Sequence, residues 1–412
     1  MPIGGLLGSR PIQTLLAPGD AYHSTAAVLS AVDAIASTCV ASIEISSVGT
    51  AGEWPLKLVK LGADAPSKRR VLLTFGMHGR EYQSAEIGLA LLTELCSGSE
   101  RSNALLSRVA FAVFPLLNPV GRSRTDAEYA AGNQQCADRR KNGRLVDINR
   151  NFPVGHEDLL ADWASYVGPE ACSSNHEFAE DYRGEAPLSE VESQAVDRVA
   201  AEWKPLMYID IHTGATAMYR PWNYATNAPI GGDRSHAFLQ HIAESVDWGG
   251  RPAVGGTKWM PSYGVGSVTG TDPYKAAGTA ADYLYATHAV NYSFIFETYD
   301  LAQQRQFFDA DDAGAAASAI ALDANLTIAP HRRRLDAVRW RNGSAARAAR
   351  ADRRPPSNAL MAADAPERSS ADAWARDECF AYFNPLTTTA LERWVRSWRE
   401  ALLVAAEHLA EV

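Results

Sequence analysis

The stretch VLLTFGMHGRE, residues 71–81, decides the fold and points to the chemistry. Its first five residues form a continuous apolar run, the pattern of a strand buried on both faces. His78 and Glu81 follow at once, three apart, where the chain turns towards a helix whose apolar face is marked by Ile87, Leu91 and Leu95. Runs of the same kind recur as AFAVF (110–114), MYIDI (207–211) and YSFIF (292–296). Helical patterns lie between and after them, the last marked by Leu391, Trp394, Val395, Trp398 and Leu402. Strands alternating with helices predict an α/β sheet layered with helices. In such sheets the functional loops follow the carboxyl ends of strands. The polar residues here do so: GMHGRE follows VLLTF, HTGAT follows MYIDI, and ETYD follows YSFIF.

Composition narrows the classes of partner. With 412 residues, 46% of them hydrophobic, the chain is long enough for one large core or two ordinary ones. A net charge of −9, from 39 basic and 48 acidic residues, offers no general attraction for nucleic acid or an anionic membrane surface, and neither is expected as a partner. No run approaches the roughly 18 to 20 apolar residues that span a bilayer. The opening MPIGGLLGSRPIQTLLAPGD is broken by Gly, Arg and Pro, so no export signal is expected at this start. Five cysteines, Cys39, Cys96, Cys136, Cys172 and Cys379, read as too few and too scattered for a disulfide scaffold or a cysteine metal cluster. From about 310 to 378 the chain turns Ala- and Arg-rich with few large apolar residues, which predicts a solvated low-complexity insertion.

An HxxE tetrad alone recurs by chance, and a strand-end histidine is more often structural than a ligand. Together, however, His78, Glu81 and His212 make a His₂Glu set, and catalytic zinc commonly takes three such ligands and leaves a fourth position open. Residues 138–153, DRRKNGRLVDINRNFP, concentrate positive charge that is costly to bury without an anionic partner. Val146, Ile148 and Phe152 nevertheless place Asn149 and Arg150 against the core, and a fixed guanidinium suits bidentate capture of a carboxylate. Glu297 is carried directly out of a buried strand, as a tuned base would be.

In this order, VLLTFGMHGRE, NPVG, RRKN, VDINRNFP, YRGEAPLSEVE, DIHTG and FETYD resemble the zinc carboxypeptidase family typified by pancreatic carboxypeptidases A and B. The likeness covers about residues 22–300 and resumes at about 380–412. It implies a mixed central sheet flanked by helices on both faces, with residues 1–21 an extension and 22–412 one peptidase domain interrupted by the insertion. It also implies one zinc ion on His78, Glu81 and His212, with Asp147 orienting the first histidine. Arg140 then polarises the scissile carbonyl, Asn149 and Arg150 grip the terminal carboxylate, Tyr274 closes over substrate, and Glu297 is the catalytic base. The substrates implied are peptide or protein C-termini, acted on by a monomer.

Aligned on DYLY, the resemblance puts Ala281 at the specificity position and Asp282 in a structural role, favouring apolar or aromatic terminal residues. Counting back from Glu297 would instead put Asp282 there and suit Lys or Arg. A Cys136–Cys172 disulfide is a further implication. Three features depart from the secreted digestive members: only about 20 residues precede Tyr22, where Tyr22-His23-Ser24 resembles their mature amino terminus, so either no zymogen control is expected or the start is truncated; the Arg140 to Asn149 spacing is short; and the insertion separates the Glu297 strand from the last helix. Secretion is expected if residues are missing before Met1, and a cytoplasmic location otherwise. Two rival readings are a catalytically silent relative that only binds, which should have lost a key residue, and a zinc amidohydrolase or deglutamylase, which should carry an extra amino-terminal domain and a basic pocket.

Overall fold

The computed structural model of the chain describes residues 22–131, 136, 138–155, 163, 172–225, 232–249, 260–265, 275–301 and 378–412. Tyr274, residues 1–21 and nearly all of the expected 310–378 insertion lie outside the described residues. Eight strands form one mixed sheet: β1 (Ile43–Ala51), β2 (Trp54–Leu61), β3 (Arg69–Phe75), β4 (Val109–Phe114), β5 (Met207–His212), β6 (Thr216–Arg220), β7 (Ser262–Val265) and β8 (Tyr292–Thr298). Their order is β1-β2-β4-β3-β5-β8-β6-β7. The central strands β4, β3, β5 and β8 run parallel, while β1, β2 and β6 introduce antiparallel pairings.

The four apolar runs become the four central strands, and the two-residue period of a strand explains why they are apolar throughout. Val71, Leu73 and Phe75 of β3 join one core cluster with Phe111, Val113, Ile209, Ile211, Phe294 and Phe296. The intervening Leu72, Ala112, Tyr208 and Ile295 point into a second cluster on the other face. The first cluster is covered by α1 (Thr25–Thr38), α2 (Tyr82–Cys96), α3 (Glu100–Arg108), α6 (Asp233–Ser245) and α9 (Thr388–Leu409). The second is covered by α5 (Val191–Trp203) and α7 (Ala280–Thr287). The last helix buries the expected Leu391, Trp394, Trp398 and Leu402 and is capped by Thr387, whose Oγ1 accepts from Ala390 N. Two further helices, α4 (Pro119–Ala130) and α8 (Glu378–Phe383), contribute Tyr129 and Phe380 to a third apolar cluster with Tyr22 and Tyr82.

The second face positions the site. Towards the carboxyl ends its apolar residues give way to polar ones: Leu72 is followed on that face by Thr74, Tyr208 by Asp210 and His212, and Ile295 by Glu297. From β3 the chain proceeds to β4 on one side, whereas β5 and β8 lie on the other, so β3 and β5 flank a topological switch point where α/β sheets open a crevice.

The cysteines correct two expectations. Cys136 is bonded to Cys379, not to Cys172, and Cys39 is bonded to Cys96. Spacing carried no trace of either pairing, because the partners lie 57 and 243 residues apart and meet only through tertiary packing.

Candidate metal centre and active site

Three buried side chains converge at the switch point. His78 and Glu81 come from the turn between β3 and α2, and His212 ends β5; the candidate donor atoms of all three lie within 4.8 Å of one another. The Nδ1 atom of His78 lies 2.7 Å from Glu81 Oε1. That of His212 lies 3.0 Å from Glu81 Oε2 and 3.0 Å from His78 Nδ1. The inward nitrogen is therefore Nδ1 in both rings.

Each outward nitrogen meets a carboxylate. His78 Nε2 is 3.1 Å from Asp147 Oδ1, the expected partner, and His212 Nε2 is 2.7 Å from Asp210 Oδ2. Such partners fix the tautomer and ring orientation of a metal-binding histidine. Thr74 Oγ1 donates to the other oxygen of Asp210 at 2.6 Å. Asp210 was absent from the sequence reading, although a signal was present: an acid inside an apolar run, two residues before His212, shares its face of the strand.

Asp147 does more than orient His78. It accepts Arg140 Nε at 2.7 Å and Asn149 N at 3.0 Å, capping the short 3-10 turn Ile148–Arg150 that carries the next two residues. Burial opposes its charge, but Arg140 and Arg150 hold its pKa well below the usual carboxylate range. Despite its short spacing from Asn149, Arg140 enters the site, with Nη1 3.9 Å from Glu81 Oε1. Burial would lower the Arg140 pKa; Asp147, Glu81 and Glu180 raise it instead.

Asn149 Nδ2 donates to Asp210 Oδ2 at 3.3 Å, and its Oδ1 accepts from Ala280 N at 2.9 Å. Arg150 is 5% exposed, and among the described residues its hydrogen bonds go only to the main-chain carbonyls of Cys172 (2.5 Å) and Asn149 (2.7 Å). Gly278 is essential to that arrangement. Its φ is +79°, and a Cβ there would come within 2.3 Å of Arg150 O.

Glu297 pairs with His212 across β5 and β8. The residue is partly exposed, but its Oε2 is buried and, among the described residues, lacks a hydrogen-bond partner. Burial pushes its pKa up to about 7, with Glu81 and Asp210 adding to the effect and His212 and Arg140 opposing it. His78, Arg140, Asn149, Arg150, His212 and Glu297 share one cavity with Tyr219, Asn223, Ala276, Thr279 and Ile295. Ala281 is fully buried in the core and does not line this cavity; Thr279 does. Asp282 is turned away too, its carboxylate accepting both N and Nδ2 of Asn223 at 2.8 Å.

The donor set fits zinc. It has two imidazole nitrogens and one carboxylate, each imidazole is backed by a second carboxylate, and beside them stands Glu297, whose Oε2 is buried without a partner among the described residues. A His₂Glu centre of this form, next to a buried acid and two guanidinium groups, defines the site of a metal-dependent hydrolase. The chain belongs to the zinc carboxypeptidase family, whose sequence model matches residues 28–312, and is accordingly a metallocarboxypeptidase by class.

Its relatives agree. Over 287 residues the chain is 25% identical to carboxypeptidase B of Astacus astacus, covering 68% of this chain and 86% of that protein. It is 26% identical to carboxypeptidase A1 of Sus scrofa over 287 residues, covering 68% of this chain and 62% of that protein, so it spans less than two-thirds of that relative's length. The fold is shared with carboxypeptidase A from Helicoverpa armigera at a TM-score of 0.54 and 22% identity, covering 68% of this chain and 65% of that one.

Proposed function

We propose that the protein is a zinc carboxypeptidase that removes the terminal residue of peptides and proteins, residues 22–412 forming its catalytic domain. His78, Glu81 and His212 would hold a zinc ion, which would supply Lewis acidity to the carbonyl and to the attacking water. Glu297 takes a proton from the attacking water and passes it to the departing amine nitrogen. Arg140 steadies the negative charge that develops on the carbonyl oxygen. Arg150, with Asn149 beside it, holds the substrate's terminal carboxylate and so fixes which peptide bond is in reach.

The observation that carries this reading is Arg150: a buried guanidinium in the cavity of the metal centre that, among the described residues, hydrogen-bonds only main-chain carbonyls and no carboxylate, although Asp147 and Asp181 feel its charge. Burying such a charge is unfavourable unless an anion completes it. A silent binding relative is disfavoured because no ligand, anchor or base is missing. Arg140 and Arg150 are the only arginine or lysine side chains among the described residues lining the cavity, which disfavours a deglutamylase. Tyr219, Ala276 and Ile295 add largely apolar surface to the described lining, supporting uncharged terminal residues over Lys or Arg. The two disulfides support an oxidising, extracytoplasmic location.

An Arg150→Met variant tests the reading. It should keep its zinc and lose its preference for a free terminal carboxylate over the corresponding amide; an unchanged preference would contradict the assignment.

A further inference from the structure

Of the cavity residues that line neither the metal nor the carboxylate end, Asn223 is unlike the rest. It is 4% exposed, and both its main-chain N and its Nδ2 donate to the carboxylate of Asp282, itself fully buried. Its carbonyl accepts Ala276 N at 2.7 Å, so the backbone is held as well. The amide orientation follows from this network, since a carboxylate takes N–H groups and repels a carbonyl. Nδ2 faces Asp282, Oδ1 accepts from no described residue, and Asn223 lines the cavity, so Oδ1 is the polar atom it has left to offer there. The neighbouring hydroxyl of Thr279 is already engaged, capping α7 by accepting Asp282 N at 3.2 Å.

Resting on the carboxypeptidase reading, we propose that Asn223 is a specificity-determining residue. Its Oδ1 accepts a hydrogen bond from the side chain of the substrate's terminal residue, so that Ser, Thr, Asn or Gln is preferred over an apolar side chain of the same shape. This refines the apolar preference expected from Ala281. A buried acceptor facing a methyl group loses its water and gains nothing, and a site built around such a bond discriminates strongly against the analogue lacking it. A terminal Lys or Arg also donates, but it would bring a full charge against a neutral acceptor whose supporting carboxylate is already taken up by two N–H groups.

The test uses the zinc-loaded full chain and blocked dipeptides in near-isosteric pairs, ending in Thr or Val, Asn or Leu, and Gln or Met. In the wild type the donor-bearing member should lead in kcat/KM by about tenfold or more. In Asn223→Ala that lead should collapse towards unity while both members are still cleaved. If that variant fails to fold, the wild-type ratios decide alone. Equal or better cleavage of the apolar members, or a lead that survives Asn223→Ala, would overturn the proposal and leave the carboxypeptidase reading intact. No cleavage of any free-acid dipeptide would overturn both.

Discussion

His212 shows how a residue with a weak sequence signal acquires a role through its neighbours. One ring nitrogen faces Glu81 and His78 and the other faces Asp210. Asp210→Asn should therefore weaken zinc binding about 10- to 100-fold, read as a chelator-competition constant rather than as activity. Unchanged affinity would assign Asp210 to packing alone. Glu297→Gln should retain zinc and lose roughly 10²- to 10⁴-fold in kcat. A base works ionised, so turnover in the wild type falls as pH drops through its pKa. Burial places that acid limb of kcat/KM above 4.5, the ordinary glutamate value. At this scale His78, Glu81, His212, Asp147 and Glu297 were legible because each sits next to a strand run or a recognisable motif. Asp210 and Asn223 were not: their roles depend on which side chain faces them, and the sequence carries no record of facing.

The elements explain where legibility stops. Strands β3, β4, β5 and β8 announced themselves because both faces are buried, and α9 because its apolar positions repeat at helical spacing. The outer strands β1, β2, β6 and β7 carry mixed sequence, since an edge needs only one apolar face. The 275–279 segment leading into α7 contributes Ala276 and Thr279 to the cavity. At Gly278 a side chain would meet the Arg150 backbone, so Gly278→Ala should raise KM more than it lowers kcat. An unaltered KM would show that this close approach does not position Arg150. At the start of α5, Glu190 and Glu192 both accept from Asn142 Nδ2, at 2.8 and 3.1 Å. Burial pushes the Glu192 pKa from 4.5 up to about 7. A raised folded pKa means the native state binds more protons, so this contribution is present below about 4.5 and is lost as pH rises to 7. The slope is at most about 1.4 kcal/mol per pH unit. Thermal unfolding of Glu192→Gln across that window should show a flatter pH dependence than the wild type.

The whole molecule joins distant parts of the chain at one crevice. Asn384 binds Arg80 O and accepts Gln83 N, while Cys379 is bonded to Cys136, so the carboxyl-terminal segment is tied to the turn that carries Glu81 and to the loop before Arg140. With β5 and β8 placed beside β3, His78, His212, Glu297 and Arg150 line one cavity, and Glu81 lies against both histidines. The central claim is that this cavity performs a metal-dependent cleavage directed by one free carboxylate. Its most direct test is hydrolysis of a blocked dipeptide and of the same dipeptide amidated at its C-terminus, each followed before chelation, after it, and after zinc is restored. The free acid should be cleaved, the amide spared, and activity should vanish with the metal and return with about one zinc per chain. Cleavage that survives chelation, equal cleavage of the amide, or no cleavage of the free acid would contradict the account.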